Sequence, residues 1–260
     1  MLLTDPAHAL LAFDFDGTLA PITGDPDAAF AHPEAVPLLA RLGRLVGGLA
    51  VITGRPVEQL LRLAPVEGVA GLDRLVVLGQ YGVERWDAAS GKQAAPPPPS
   101  GVAAVRAELP GLLHSLGHPD AHVEDKGRAL AVHVRRALRP QQAYAELLSP
   151  LRRLAAAHGL MVEEGKAVLE LRAPGNDKGA ALVALVRDLG VRCVVFCGDD
   201  LGDVPAFEAV ATLRAGGLYG LTVCSASGEQ PRLAEVADVV VDGPDGLMAW
   251  LRELAESLGG

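Results

Sequence analysis

The stretches best suited to chemistry are two groups of carboxylates that follow apolar runs. In FDFDGT, Asp14 and Asp16 lie two residues apart, and Gly17 and Thr18 follow at once. At an extended strand end that spacing aims both side chains the same way, while Gly17 lets the chain turn sharply. Adjacent carboxylates repel unless a cation or a shared proton compensates, and a hard Mg²⁺ ion would do so. One carboxylate could then act as nucleophile and the other as proton shuttle. An Asp-turn with a capping role explains the bare motif equally well. The second group, CGDDLGD, places Asp199, Asp200 and Asp203 after another apolar run. Mg²⁺ takes few protein carboxylates beside water and phosphate, which makes Asp199 the direct ligand and Asp200 and Asp203 its supports. Taken alone, an acidic loop opening a helix is the simpler account of that stretch.

Two further residues suit a phosphoryl group. Thr53 in ITGRP offers a hydroxyl at a strand terminus, and Lys178 in GNDKG offers a compact charge at a helix start. Thr53 could instead simply end a strand before Pro56 at a helix N-terminus, and Lys178 could be an ordinary surface residue. Lysine usage weighs on the second point. Lys92, Lys126, Lys166 and Lys178 are the only lysines among 23 basic residues. Where arginine is so favoured, a lysine can mark a place that needs a point charge.

These residues require a scaffold that collects strand ends. Short apolar runs at 9–17, 49–54, 74–82, 192–200, 221–226 and 237–243 read as buried parallel strands. Helical stretches at 33–46, 56–64, 178–190 and 203–213 separate many of them. The alternation predicts an α/β fold with a Rossmann-like parallel-sheet core, whose ligands gather at the carboxyl ends of the strands. The proline-rich stretch 93–101 interrupts the rhythm as a semi-rigid hinge. Beyond it, a helix near 101–115, a strand pair over 121–136, a helix over 141–158 and a second pair over 160–172 give an αββαββ pattern. That pattern suits a small antiparallel sheet backed by helices. The expected organisation is a core of 1–93 and 174–260 with a cap domain of 94–173 inserted, able to act as a lid that excludes water.

Bulk properties narrow the function classes. Half of the 260 residues are hydrophobic, enough for a sizeable core, and the net charge of -9 disfavours a nucleic-acid binder. Three cysteines, Cys193, Cys197 and Cys224, fall in apolar runs, and their odd number fits buried thiols in a reducing cytosol. The N-terminus has no basic region ahead of its apolar residues, and no run is long enough to span a membrane. A soluble, monomeric cytoplasmic protein is expected. Phosphate-loop, HExxH and GxSxG motifs are absent from the sequence.

DxDGT, a strand-terminal Thr, a helix-opening Lys and GDDxxD stand in the order that characterises the haloacid dehalogenase superfamily, which the chain resembles over its whole length. More narrowly, DFDGTLAPI, ITGRP, VEDKGRALAVHVR, EEGKAVLELR, GNDKGAAL and GDDLGDVPAF resemble the trehalose-6-phosphate phosphatases. The resemblance implies that Asp14 attacks phosphorus, that Asp16 protonates the sugar oxygen and later activates water, and that Thr53 and Lys178 hold the phosphoryl group. It implies Mg²⁺ held by Asp14, the Asp16 main-chain carbonyl and Asp199, with Asp200 and Asp203 orienting that shell. Where family members carry Thr-Asp-Glu after the paired aspartates, this chain has Gly202, Asp203 and Val204. Altered affinity rather than lost chemistry is expected there.

The same resemblance implies that Glu124, Lys126, Lys166 and Glu170 read the sugar, with Glu164 and Arg135 as further contributors and Arg55 and Tyr81 on the core side as weaker ones. From spacing alone these are ordinary cross-strand ion pairs. His133 reads as a structural strand residue. The substrate implied is trehalose 6-phosphate, with sucrose, glucosylglycerol or mannosylglycerate phosphate as the alternative. A phosphomutase is disfavoured by the insert position, and a catalytically dead binding module by the presence of every carboxylate the chemistry needs.

Overall fold

The computed structural model describes residues 2–165, 167–226 and 231–259. The chain divides into two compact units, one formed by Met1–Ala95 with Asn176–Gly260 and the other by Pro96–Gly175. The first unit begins with β1 (Ala9–Phe13), α1 (Ala35–Gly43), β2 (Gly48–Ile52), α2 (Val57–Leu63), β3 (Leu75–Gly79), β4 (Glu84–Asp87) and β5 (Lys92–Ala94). The second unit contains α3 (Ser100–Ser115), β6 (His122–Asp125), β7 (Leu130–His133), α4 (Pro140–Ala157), β8 (Met161–Gly165) and β9 (Val168–Arg172). The first resumes with α5 (Lys178–Leu189), β10 (Cys193–Gly198), α6 (Val204–Ala215), β11 (Tyr219–Ala226), α7 (Pro231–Ala234), β12 (Val239–Asp242) and α8 (Gly243–Gly259).

Among the described residues, the first unit's sheet runs β12-β11-β10-β1-β2-β3-β4-β5. It is parallel from β12 to β3, and β4 and β5 add antiparallel at one edge. β1 is central and buried along its whole length. Its alternate side chains feed opposite cores: Leu11 and Phe13 pack with α1, α2 and α8, whereas Leu10 and Ala12 pack with α5 and α6. The fold class is therefore the expected one, with helices on both faces of a largely parallel sheet.

Two features go beyond the sequence reading. The β4–β5 extension is short and polar, so it carries little apolar signal. Helix α8 begins in a Gly-Pro-Asp-Gly stretch that resembles a turn, yet Leu247, Leu251 and Leu254 bury one stripe of it.

In the second unit the sheet order is β6-β7-β9-β8, antiparallel throughout. Leu130, Val132, Leu169 and Leu171 bury one face against Val105 and Leu109 of α3 and Leu147 and Leu151 of α4. No helix among the described residues is long and apolar enough to cross a membrane.

Candidate active site

β1 ends at Phe13, and Asp14 to Thr18 form the corner that follows. The Asp14 N–H donates to the Cys197 carbonyl at 2.8 Å, which pins the corner to the end of β10. Gly17, at φ 78°, turns the chain, and its carbonyl accepts from Ser225 Oγ at 2.8 Å. A Cβ on Gly17 would lie 2.1 Å from Asp199 Oδ2, so the glycine also lets that carboxylate lie against the turn. The expectation that strand parity aims Asp14 and Asp16 alike fails here, because the strand stops before Asp14. The two acids take different partners: Asp14 is buried against Lys178, while Asp16 pairs with Arg55 and keeps 41% of its side chain exposed.

Lys178 opens α5, capped by Asp177, whose carboxylate accepts from the Ala180 N–H at 2.7 Å. A Cβ on Gly179 would fall 2.2 Å from the Pro205 carbonyl. The missing side chain lets α5 and α6 approach closely and brings Lys178 Nζ to 2.7 Å from both Asp14 Oδ1 and Asp203 Oδ1. Asp203 Oδ2 accepts from the N–H groups of Asp199 and Asp200, at 3.0 and 3.3 Å. With both oxygens engaged, Asp203 braces the acidic corner. Asp200 closes the same turn by accepting from the Gly202 N–H at 2.8 Å.

Carboxylate oxygens of Asp14, Asp199 and Asp203 lie within 4.8 Å of one another. Asp199 Oδ1 is buried without a hydrogen-bond partner among the described residues. Leaving a buried acceptor unpaired is costly, and hard oxygens at this spacing suit a divalent cation. The set thus fits a metal ion, with Asp203 the least available of the three. Burial, then the neighbouring carboxylates, pushes Asp14 well above the usual carboxylate range despite Lys178. Burial and Asp14 likewise raise Asp199, to about 10. Burial works against the charge of Lys178, but Asp14, Asp203 and Asp200 outweigh it and hold the ammonium well above its ordinary value.

Thr53 follows β2, the strand beside β1, and its hydroxyl accepts from the Arg55 N–H at 3.1 Å. Arg55 forks onto Asp16, with Nε to Oδ2 at 2.7 Å and Nη2 to Oδ1 at 2.6 Å, and its guanidinium lies 5.7 Å from the centre of the Phe15 ring. The structure therefore brings Asp14, Lys178, Asp199 and Asp203 into one cluster and links Asp16 to the Thr53 loop through Arg55.

The other predicted residues belong to the second unit, except Tyr81, which follows β3 in the first. By register, Glu124, Ala131, Glu170 and Glu163 share the sheet face opposite the helices. Lys126 Nζ pairs with Glu170 Oε2 at 2.5 Å, and Glu124 Oε2 lies 2.9 Å from His133 Nε2. Glu164 turns to the helix side, where it accepts from Tyr144 Oη at 3.1 Å and pairs with Arg152. Lys166 lies outside the described residues.

A trehalose-phosphatase family profile matches residues 12–242. This chain belongs to the trehalose-phosphatase family. A relative named trehalose-6-phosphate phosphatase, from Escherichia coli (strain K12), is 32% identical over 95% of this chain and 86% of its own length. Mycobacterial relatives are longer. This chain covers 63% of the trehalose-phosphate phosphatase of Mycobacterium avium (strain 104), at 31% identity over 96% of itself. Among solved structures, the C-terminal domain of the Candida albicans trehalose-6-phosphate phosphatase superposes with a TM-score of 0.78, at 21% identity over 97% of this chain and 93% of that one. A haloacid dehalogenase-like hydrolase from Bacteroides thetaiotaomicron gives 0.66, at 15% identity over 95% and 99%. These likenesses show a shared fold.

In this member of the trehalose-phosphatase family, several supporting roles escaped the sequence reading, including that of Tyr81, which was read only as a weak sugar contact. Gln80 and Tyr81 sit at φ 47° and 60°, a conformation non-glycine residues seldom adopt. Their N–H groups donate to the Arg55 and Thr53 carbonyls, each at 2.9 Å, and so clamp the Thr53 loop. Buried Glu84 accepts from the Val57 N–H at 2.7 Å, capping α2, whose own preceding residue is Pro56. Glu84 and Val57 are far apart in the chain, so no local pattern announces the pair.

Proposed function

We propose that this chain hydrolyses trehalose 6-phosphate to trehalose and inorganic phosphate through an aspartyl-phosphate on Asp14. An Asp14 carboxylate oxygen attacks phosphorus, the bond from phosphorus to the sugar oxygen breaks, and Asp16 delivers its proton to that oxygen. Asp16, now a carboxylate, takes a proton from water, whose oxygen displaces Asp14 from phosphorus and regenerates both acids. Lys178 neutralises Asp14 between turnovers and offers its ammonium to the phosphoryl oxygens. Thr53 provides a hydroxyl to the same group, Arg55 aims Asp16, and Asp200 and Asp203 hold the acidic corner. Asp14, Asp199 and the Asp16 main-chain carbonyl would hold Mg²⁺, which when bound offsets the charge between an anionic nucleophile and an anionic substrate. Glu124, Lys126, Lys166 and Glu170 read the sugar hydroxyls, with Pro96–Gly175 as the cap. A monomeric enzyme in a reducing cytosol belongs to the same reading, which the three buried free thiols support.

The observation that carries this reading is the buried Lys178 ammonium at 2.7 Å from Asp14, beside the unpartnered Asp199 oxygen. A bare acidic capping loop has no need of either. The test is phosphate release with Mg²⁺ over a panel of sugar phosphates, using Asp14→Asn as control. Trehalose 6-phosphate should give the highest kcat/KM, and the Asp14→Asn enzyme should lose at least about 10³-fold on every substrate. Preference for sucrose, glucosylglycerol or mannosylglycerate phosphate would keep the chemistry and reject the substrate. Residual Asp14→Asn turnover near wild type would reject the nucleophile.

A further inference from the structure

The polar face of the second unit's sheet carries a histidine that the mechanism above does not use. His133 ends β7, and its direct cross-strand partner is His122. The two rings sit 5.3 Å apart at 43°. Diagonally across the same strand pair, His133 Nε2 lies 2.9 Å from Glu124 Oε2. A carboxylate can only accept, so the ring nitrogen donates, which fixes the proton on Nε2. Both side chains are about four-fifths covered, each keeping 20% exposure. This is no loose surface pair.

The contact matters because of what Glu124 is asked to do. A glutamate on a sheet face has three rotatable bonds, and holding it in one geometry to meet a sugar hydroxyl costs affinity unless the side chain is already fixed. His133 has only two rotatable bonds, and its ring is restrained by the His122 ring. It is thus a stiff donor aimed at a flexible acceptor. We infer that His133 is a positioning residue for sugar recognition, holding the Glu124 carboxylate in the orientation that reads the disaccharide hydroxyls. The inference rests on the proposed function, since it assumes that Glu124 contacts sugar.

Two variants separate donation from packing. His133→Phe keeps a ring of similar bulk over His122 but has no donor, whereas His133→Gln places an amide N–H near the position of Nε2. The quantity read is the ratio of kcat/KM for trehalose 6-phosphate to kcat/KM for p-nitrophenyl phosphate, measured with Mg²⁺ on the full chain. The His133→Phe ratio should fall about tenfold, through KM for the sugar phosphate, and His133→Gln should recover to within about threefold of wild type. An unchanged ratio in His133→Phe overturns the inference. So does a loss of equal size on both substrates, which marks a structural strand residue, and so does a Gln variant as poor as the Phe variant. Glu124→Gln run alongside tells this failure from failure of the functional reading. If wild type shows no preference for the sugar phosphate, the reading falls and takes the inference with it. If Glu124→Gln loses the preference while His133→Phe keeps it, the role assigned to His133 alone is wrong.

Discussion

Arg55 shows how much a single side chain can be asked to do at this site. The sequence placed it among substrate contacts, and its guanidinium sits on Asp16 through two hydrogen bonds of 2.7 and 2.6 Å. Its own main chain is gripped as well, by Thr53 Oγ1 on the N–H and by the Gln80 N–H on the carbonyl. A planar fork held at both ends fixes the direction of the carboxylate, which lysine could not do with one point charge. Arg55→Lys should therefore lower kcat for a sugar phosphate about tenfold. It should cost less with p-nitrophenyl phosphate, whose leaving group departs without needing a proton. Steady-state kinetics on both substrates checks this. Equal losses would return Arg55 to the role of a phosphate contact.

The elements converge on the site through places where a side chain is missing. The Gly17 turn, the α5–α6 contact at Gly179 and the end of β10 at Gly198 each bring backbone or carboxylate to within 2.1 to 2.6 Å of where a Cβ would stand. Gly17 bears the largest consequence, because a methyl there meets Asp199 Oδ2 and its φ of 78° also disfavours any side chain. Gly17→Ala should destabilise the fold by about 1–3 kcal/mol and, under conditions where the variant is fully folded, weaken divalent-cation binding measured by calorimetry. Unchanged affinity would mean that Asp199 is not where the ion is held. The strands and helices that carry the cluster were legible in the sequence, since buried parallel strands are continuous apolar runs and the acids sit where those runs stop. What was not legible depends on distant pairing. Glu84 finds Val57, Arg55 finds Asp16, and the left-handed Gln80–Tyr81 pair finds the Thr53 loop, all by tertiary contact. Helix α8 had its 3.6-residue stripe but opened with residues that favour turns.

Across the whole molecule, a net charge of -9 coexists with a buried cluster of acids, whose pH signature is opposite to that of paired surface carboxylates such as Asp125, which are lowered on folding. Burial and mutual repulsion raise Asp14, and they raise Asp199 from 3.8 to about 10. The folded protein therefore binds these protons more tightly than the unfolded chain. Above the ordinary carboxylate value the unfolded state has released protons that the native state retains, so without metal this cluster makes stability fall as pH rises. Lys178 does not cancel the trend, because its raised value leaves it charged in both states below its ordinary 10.5. A divalent cation takes the place of the retained protons, and its affinity should grow as they become easier to displace. The Tm in Mg²⁺ minus the Tm in chelator should then widen from about pH 5 to about pH 8, by about 2–4 °C for each kcal/mol gained. Thermal unfolding of wild type at each pH, with Asp199→Asn as reference, provides the measurement. A gap that stays constant with pH, or one that persists in Asp199→Asn, would place the ion somewhere other than among these acids.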